Sequence, residues 1–429
     1  MPTSRPLLVP TTRREFLQWS GRGIGLLAFG RFAPDFLIQS VRAGAPLPER
    51  DRRILVLVQL AGGNDGLNTV VPFTDDAYYR LRPTLGIPAS AVLPLDDHQG
   101  LHPACAPLHR LFGEGRVSVV QNVGYPNPNR SHFRSTEIWE AASDSDTSLD
   151  TGWIGRFLDN TCQGSPVADA LAEAPRDPAA VHISSEVPGA FLARDSHPTF
   201  GLGNVRGGRR GREADLALLE SLTEHQAHDD HGNSGFLRQV TLDALVTERR
   251  VEDLIARYRP EAAYPKDNFA QSLQRVAALI SAGLSTRVYF VSLGGFDTHN
   301  GQANTHERLL RTLSEGLAAF QSDLTARKLD DQVLTMTFSE FGRRPNENKS
   351  GGTDHGTAAP LFVMGSDVQG GLLGSAPSLD LKPNADLSFS TDFRQVYTSV
   401  LQDWLDAPAA DILGAKFGSL PMLAKRLRS

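Results

Sequence analysis

The sequence has only two cysteines, Cys105 and Cys162, among its 429 residues. Two cysteines are too few for a disulfide framework, and their separation does not match the CxxC spacing of structural zinc sites. Two alternatives remain open for them. They either form one disulfide bridge in an oxidising compartment or stay as two buried thiols.

Basic residues are not in excess, since 43 lysines and arginines face 49 aspartates and glutamates and the formal net charge is −6. Residues 1–43 contain six arginines and two acidic residues, so the chain that follows them has a net charge of −10. An acidic protein of this kind is a poor ligand for polyanions. The composition therefore argues against nucleic acid and anionic membranes as partners.

The sequence also lacks a hydrophobic run long enough to span a bilayer, which takes about 20 apolar residues, so no integral membrane segment is predicted. Near the N-terminus, Arg13 and Arg14 precede a short, Gly-rich apolar stretch at residues 23–29. This pattern resembles a twin-arginine export signal, with cleavage expected after Ala43 and release into the periplasm or the medium. An ordinary amphipathic N-terminal helix is the alternative.

What the sequence does contain is an alternation of apolar, strand-like runs with amphipathic, helix-like segments. Strands are predicted at residues 54–60, 117–120, 287–293, 332–338 and 360–365. Helices are predicted at residues 268–282, 305–329 and 392–405. Strands that alternate with helices predict an α/β fold with a mostly parallel central sheet and helices on both faces.

The middle of the chain departs from this alternation. Residues 162–235 are rich in Gly, Pro, Arg and Asp, and we expect a loop-rich insertion or cap there, within one α/β domain that covers residues 44–429. His225, His228 and His231 have the density of a metal site. A solvated polar linker is the favoured interpretation, because no apolar frame would hold these side chains.

Five short polar clusters contain the residue types that bind metals, and three of them directly follow a predicted strand. The clusters are residues 62–66, 130–132, 297–299, 339–343 and 354–356. The carboxyl ends of strands in an open α/β sheet point into a common crevice, so we expect these clusters to converge. Asp, Glu and His bind divalent cations, and a serine beside them can act as a nucleophile.

These clusters, together with the twin-arginine pattern, resemble the family called domain of unknown function 1501. The resemblance is carried by residues 60–68, 130–133, 295–299, 339–343 and 354–357, which span essentially the whole chain after residue 43. The family is grouped with the alkaline phosphatase and sulfatase superfamily. Members of that superfamily hydrolyse phosphate or sulfate esters with one or two metal ions and a Ser, Thr or modified Cys nucleophile.

The resemblance implies a set of metal ligands and catalytic residues. The implied metal ligands are Asp65, Asp297, His299, Glu340 and His355, in the order that the superfamily follows along the chain. Ser131 corresponds to the nucleophile, at the start of a helix whose positive end favours an anionic oxygen. His132 follows it, and Arg130 or Arg134 is expected to contact the phosphate or sulfate oxygens.

Two departures from the superfamily pattern favour one metal ion over two. The superfamily usually places several residues between these two ligands, whereas here only Thr298 separates Asp297 from His299. Side chains at this spacing on an extended segment do share a face. Phe341 stands where the superfamily has a histidine, which leaves a second ion short of one ligand. The candidates to replace that ligand are His132, Asp354 and His306. A single divalent ion held by Asp297, His299 and His355 is therefore the favoured cofactor, with zinc, manganese and calcium as candidates.

Each cluster also has an interpretation without chemistry. Residues 62–66 fit a tight turn, and Ser131 fits a plain helix N-cap. Glu340 and Arg343 fit a buried ion pair that braces the sheet end, and His355 fits an ordinary loop histidine.

The sequence as a whole predicts an exported metal-dependent hydrolase with Ser131 as the nucleophile. Its expected substrate is a phosphate or sulfate ester, either a small molecule or a glycan. The alternative is a non-catalytic exported protein of the same fold that binds an anionic glycan or a protein partner. A metal-free serine esterase is disfavoured, because no Gly-x-Ser-x-Gly elbow surrounds Ser131.

Overall fold

The computed structural model describes residues 53–161, 177–184, 186–195, 197, 199–202 and 247–424. The twin-arginine segment, Cys162 and the three histidines at positions 225, 228 and 231 lie outside these ranges. What the sequence predicts for them stays a prediction.

Strands and helices alternate along the described chain. The strands are β1 (Ile54–Ala61), β2 (Val70–Val71), β3 (Leu93–Pro94), β4 (Gly100–Leu101), β5 (Val117–Gly124), β6 (Ala180–Ile183), β7 (Thr199–Gly201), β8 (Val288–Gly294), β9 (Val333–Phe338), β10 (Ala359–Met364), β11 (Gly371–Leu373) and β12 (Thr391–Asp392). The labelled helices are α1 (Gly66–Thr69), α2 (Asp76–Leu81), α3 (Ala106–Gly113), α4 (His132–Ala141), α5 (Trp153–Thr161), α6 (Asn268–Ser281), α7 (Gln302–Ala326), α8 (Phe393–Ser399) and α9 (Ala409–Leu413). Residues 247–257 are also helical, and a π-helical turn, Val400–Trp404, continues α8.

Strand β1 lies in the middle of the main sheet because its apolar side chains can be buried on both faces. Ile54 and Val56 enter one hydrophobic core, and the alternate residues Leu55 and Leu57 enter the other. Each such burial contributes about 2 kcal/mol. β1 pairs in parallel with β8 on one side and with β9 on the other.

The main sheet has nine strands in the described part of the chain, and only β10 runs against the others. The strand order is β11-β5-β10-β9-β1-β8-β6-β7, with β12 beside β5. β10 is antiparallel to both of its neighbours, β5 and β9. The predicted mostly parallel sheet is therefore confirmed. Strands β2, β4 and β3 form a separate small antiparallel sheet.

Helices cover both faces of the main sheet, as predicted. On one face, α3, α6 and α7 bury Leu108, Leu273 and Leu313 completely. On the opposite face, α4 and α5 bury Ile138 and Phe157 completely. No helix in the described ranges is long and apolar enough to cross a membrane.

Helix α7 begins and ends slightly earlier than the predicted range 305–329. It begins after Gly301, whose φ of 55° lies in the left-handed region that glycine adopts without strain. It ends at Ala326, before Lys328 takes a φ of 59° that no helix can continue. Helix α6 matches its prediction closely, because the Asp267 side chain caps it by accepting from the Ala270 N–H.

Two short strands inside the predicted insertion extend the main sheet. β6 pairs in parallel with β8, and β7 pairs in parallel with β6. All residues of β6 are buried, so its weak apolar signal in the sequence marks a true strand. This part of residues 162–235 belongs to the sheet edge, whereas most of the remainder lies outside the described residues.

Cys105 is a buried free thiol. Burial in apolar surroundings raises the pKa of this thiol to about 12, so it stays protonated and unreactive. Cys105 is therefore a buried thiol, which is one of the two alternatives that the sequence leaves open for it.

A buried polar network lies beneath the loop that follows β1. The Asn64 side-chain oxygen accepts from His306 Nε2 of α7 and from the Thr69 hydroxyl, each at 3.0 Å. Complete burial disfavours the charged imidazole, and despite the nearby Asp65 it lowers the pKa of His306 to about 4. His306 is therefore a neutral donor in the folded protein.

We expect His306 to make stability fall as the pH is lowered. Its folded-state pKa is below the unfolded value near 6.5, so the unfolded chain binds the extra proton between these values. The loss begins near pH 6.5 and levels off near pH 4, and it amounts to about 3 kcal/mol. Urea unfolding across this range should show a shallower pH dependence for His306→Gln.

The matched control for this measurement is His98→Gln, at an exposed position outside the network. It should retain the wild-type pH dependence. A pH dependence of His306→Gln equal to that of the wild type would contradict the prediction.

Candidate metal centre

Several loops converge at the carboxyl edge of the main sheet. The loops after β1, β5, β8 and β9 leave this edge because these strands share one direction. Since β10 runs antiparallel, the segment that precedes it, with His355, reaches the same edge. A histidine that precedes a strand thereby joins residues that follow strands.

Three histidines surround the carboxylate of Asp297. Its Oδ1 atom lies 3.1 Å from Nε2 of His299 and 3.1 Å from Nε2 of His355. Its Oδ2 atom lies 3.4 Å from Nε2 of His132. The Nε2 atoms of His299 and His355 are themselves 2.9 Å apart. The three rings therefore converge on one point from three separate segments of the chain.

Hydrogen bonds on the far side of each ring determine which nitrogen faces Asp297. The three Nδ1 atoms all donate to oxygen acceptors, namely His355 to the Arg130 carbonyl at 2.8 Å, His299 to Asp354 at 3.2 Å and His132 to Glu340 at 2.8 Å. A carbonyl or carboxylate oxygen can only accept, so the proton of each neutral ring is on Nδ1. Each Nε2 atom therefore presents a lone pair.

This set of donors fits a divalent metal ion. The ligand atoms of His132, Asp297 and His355 all lie within 4.8 Å of one another. His132 Nε2 is buried and has no hydrogen-bond partner in the described chain. The Nε2 atoms of His299 and His355 lie 2.9 Å apart, close enough for both to bind one cation. Imidazole rings backed by carboxylates and a carbonyl are the usual ligands of zinc-like ions.

Asp297 is available as an anionic ligand at neutral pH. Partial burial acts to raise the pKa of its carboxyl group. The hydrogen bond and the positive charge of Arg343 outweigh this effect and lower the pKa of Asp297 to about 2.

Arg343 is fully buried and connects the converging loops. Its Nη2 atom donates to Asp297 Oδ1 at 2.7 Å and to the Phe296 carbonyl at 2.9 Å. Its remaining bonds go to the carbonyls of Gly62, Gly63 and Thr353. Arg343 therefore forms its ion pair with the half-exposed Asp297, which corrects the suggested buried pairing with Glu340.

The loops can approach this closely only because residue 62 is a glycine. Gly62 has a φ of 120°, and a Cβ atom there would lie 2.3 Å from the backbone nitrogen of Asp297. The turn-like composition of residues 62–66 thus serves the packing of two loops.

Glu340, a predicted metal ligand, lies behind His132 instead of beside the other ligand atoms. Its Oε1 atom accepts from His132 Nδ1 and from the Gly62 N–H, both at 2.8 Å. A carboxylate in this position orients a ligating imidazole and increases its basicity. Glu340 therefore positions His132.

Asp65, another predicted metal ligand, is not brought into the cluster. Both of its carboxylate oxygens bind the Arg82 guanidinium, at 2.5 and 3.0 Å, and the pair is completely buried. Burial alone would raise the pKa of Asp65, but the charge and hydrogen bonds of Arg82 lower it below its usual range. The pairing with Arg82 replaces the expected pairing with a metal ion.

Two of the three candidates for an additional ligand lie at the cluster. His132 directs its Nε2 atom toward Asp297, and Asp354 holds the ring of His299. His306 lies in the buried network beneath the loop after β1, where its Nε2 atom donates to the side chain of Asn64.

Ser131 lies between two residues that form the cluster. The carbonyl of Arg130 accepts from His355, and the ring of His132 faces Asp297. Ser131 is exposed and stands at the N-cap of α4, but its hydroxyl makes no capping hydrogen bond. The Ser131 hydroxyl is therefore not used to cap the helix.

The two arginines near Ser131 have other partners. Arg130 pairs with Asp386, and its side chain is half-exposed. Arg134 donates to the carbonyls of Ser145 and Thr147 and so braces the loop after α4.

A cavity of about 510 Å³ opens beside the cluster. His132, Asp297 and Glu340 line its inner part, and α4 and the segments around Leu149 and Leu192 form its other walls. This volume is within the range of small-molecule sites.

Three residues that shape this geometry have no recognisable motif in the sequence. Arg82 and Asp386 bind partners that are distant along the chain, and no local signal indicates such pairings. Glu140 lies on the same helical face as His132 and Thr136, and all three line the cavity. Their spacing is the one signal that the sequence offers.

We expect Arg343→Lys to lower the free energy of unfolding by about 3 kcal/mol. A lysine ammonium cannot fill the planar set of acceptors, and buried carbonyls lose their partners. Chemical denaturation measures the loss. Arg344→Lys is the matched control, because this partly exposed neighbour pairs with Asp386 and should lose less than about 1 kcal/mol. Equal losses in both variants would show that Arg343 does not hold the loops.

Comparison with solved structures finds similar chains at low sequence identity. A protein in the alkaline phosphatase superfamily from Vibrio parahaemolyticus is 10% identical, with 85% of this chain and 70% of that chain covered and a TM-score of 0.34. A sulfatase from Pseudoalteromonas sp. is 9% identical, with 86% of this chain and 73% of that chain covered and a TM-score of 0.35. The C-terminal periplasmic domain of EcEptC from Escherichia coli, solved in complex with zinc, is 11% identical. The match covers 76% of this chain and 77% of that chain, with a TM-score of 0.33. Likeness at this level carries no inference about activity.

No curated protein matches the sequence. Residues 52–401 match the family described as Protein of unknown function (DUF1501), and this range contains all five polar clusters. Since the match covers most of the chain, the protein belongs to the DUF1501 family.

Proposed function

We propose that the protein is an exported metal-dependent hydrolase of phosphate or sulfate esters. One divalent ion would lie at the histidine cluster, which consists of Asp297 and the three histidines around it. The observation that carries the proposal is the convergence of three imidazole lone pairs on the carboxylate of Asp297. An ionised carboxylate and three oriented nitrogens are a strong ligand set for a metal ion.

The proposed ligands are His132, His299, His355 and Asp297. Their rings are oriented before an ion binds, because each Nδ1 atom already has its acceptor. Three nitrogen ligands favour zinc over calcium, which prefers oxygen. When bound, the ion would supply positive charge that favours a deprotonated nucleophile and neutralises the ester oxygens.

Ser131 is the proposed nucleophile because its hydroxyl is uncommitted and both of its neighbours belong to the site. Its oxygen would attack phosphorus or sulfur, and the bond to the ester alcohol would break. The departing alcohol takes up the proton that the serine loses, and water then hydrolyses the seryl ester to release phosphate or sulfate.

The N-terminus of α4 supports the binding of the anionic group. Ser131 occupies the N-cap position of this helix, so the positive end of the helix dipole lies at this residue. Arg130 would contact the ester oxygens if its guanidinium exchanged Asp386 for the substrate.

Export through the twin-arginine route is part of the proposal. It rests on Arg13, Arg14 and the apolar stretch at residues 23–29. The ester hydrolase would then act in the periplasm or outside the cell.

A second candidate is a non-catalytic protein of the same fold that uses the site for binding. The observation that favours it is Phe341, whose ring lies 4.9 Å from the ring of His132 and 4.6 Å from that of His355, measured between centroids. An apolar ring therefore fills the position where the superfamily has a histidine.

We expect the purified full-length protein to bind about one equivalent of zinc or manganese after loading and dialysis. Asp297→Ala and His355→Ala should lose this metal, because each removes a converging ligand atom. Glu340→Gln should bind it about tenfold to a hundredfold more weakly, because it removes the negative charge that increases the basicity of the His132 ring. Elemental analysis and competition with a chelator measure these effects.

The control for metal binding is His98→Ala, an exposed histidine outside the cluster, which should keep its metal. Equal metal content in all four variants would refute the assignment of the site, provided that circular dichroism shows each to be folded.

Ser131→Ala should keep the fold and the metal and lose turnover by at least about a thousandfold, because it removes the attacking oxygen. The assay is a panel of phosphate and sulfate esters with the metal-loaded protein. Ser375→Ala, at an exposed position, is the control. Unchanged turnover in Ser131→Ala would exclude the serine, and a wild type that binds metal without any turnover would favour the non-catalytic candidate.

A further inference from the structure

The mouth of the cavity beside the histidine cluster is apolar. Phe133, Leu149 and Leu192 are the large hydrophobic side chains that are exposed in the described chain, and all three line this cavity. Phe133 is the extreme case, with 91% of its surface exposed. Exposed apolar side chains gathered at one opening indicate a surface that an apolar ligand covers.

The wall of the cavity is acidic. Four carboxylates line it, those of Glu137, Glu140, Asp297 and Glu340, and no lysine or arginine is among the described residues that do so. Three of the four already have strong partners: Asp297 binds Arg343, Glu137 binds Arg134, and Glu340 accepts from His132. Glu140 is the exception.

Glu140 has no opposing charge within salt-bridge distance in the described part of the chain. Its Oε2 atom accepts from the Gly189 N–H at 3.0 Å. A Cβ atom at residue 189 would lie 2.6 Å from the same oxygen, so any residue other than glycine there would displace the Glu140 carboxylate. Burial, with a smaller contribution from Glu340, raises the pKa of Glu140 to about 7. A carboxylate in this state is strongly stabilised by a cation.

We propose that this cavity is the leaving-group subsite of the enzyme and that it accepts an apolar group carrying an ammonium charge. The ammonium would pair with Glu140, and the apolar part would cover Phe133, Leu149 and Leu192. A cavity lined by both an aromatic ring and a carboxylate is suited to alkylammonium ligands. The assignment as a leaving-group subsite rests on the proposed hydrolase function, since only then does the adjoining histidine cluster hold the ester.

This occupant differs from an anionic glycan, which would bring negative charge against four carboxylates. The substrate class is therefore a phosphate or sulfate ester of an apolar amino alcohol, with the anionic group at the histidine cluster and the cationic group at Glu140.

The test is calorimetric titration with three probes that share one tail: octyltrimethylammonium, octyl sulfate and octyl glucoside, each below its micelle concentration. In the metal-free protein, where octyl sulfate has no metal ion to bind, we expect octyltrimethylammonium to bind at least about tenfold more tightly than the other two. Glu140→Gln should bind the ammonium probe no more tightly than the glucoside probe. Phe133→Ala should weaken binding of the ammonium probe without affecting the fold. Glu315→Gln, on the exposed face of α7, is the charge-matched control and should bind as the wild type does.

Equal binding of the ammonium and glucoside probes, tighter binding of octyl sulfate than of the ammonium probe by the metal-free protein, or an unaffected Glu140→Gln variant would each overturn the proposal. The titrations are run with and without metal. Loss of probe selectivity in a protein that binds metal and turns over esters refutes the subsite alone. Selectivity in a protein without metal or turnover refutes the hydrolase function and retains the ammonium site.

Discussion

The ion pair between the buried guanidinium of Arg343 and the carboxylate of Asp297 is the contact on which the rest of the site depends. A guanidinium removed from water must fill its donors with acceptors, and here it uses one carboxylate and backbone carbonyls from three loops. No loop can shift without leaving a buried donor or acceptor unpaired. The same interaction keeps Asp297 ionised, so it determines both the position and the charge of the carboxylate that the histidines surround.

The site also depends on the direction of one strand. Parallel strands deliver only the residues that follow them to the carboxyl edge of a sheet. Strand β10 is antiparallel, so it delivers the residues that precede it, and His355 thereby meets Asp297 and His299. A parallel β10 would place this histidine at the opposite edge, where it could not complete the cluster.

Most of the fold could be predicted from the sequence because apolar periodicity determines which face of an element is buried. The convergence of Asp297, His299 and His355 followed in the same way from their positions at strand ends. The roles of Asp65 and Glu340 could not be predicted. Both are carboxylates at strand ends, and their orientation depends on partners far along the chain, Arg82 for one and His132 for the other. A motif identifies which residues reach an edge but not which way each side chain turns.

The three histidines come from the start of α4, the loop after β8 and the segment before β10. An ion bound by them would act as a non-covalent cross-link between parts of the chain that are far apart in the denatured state. The denatured protein cannot assemble this set of ligands, so the free energy of ion binding would add to the free energy of unfolding through mass action. Occupancy of the site and global resistance to proteolysis would then rise and fall together.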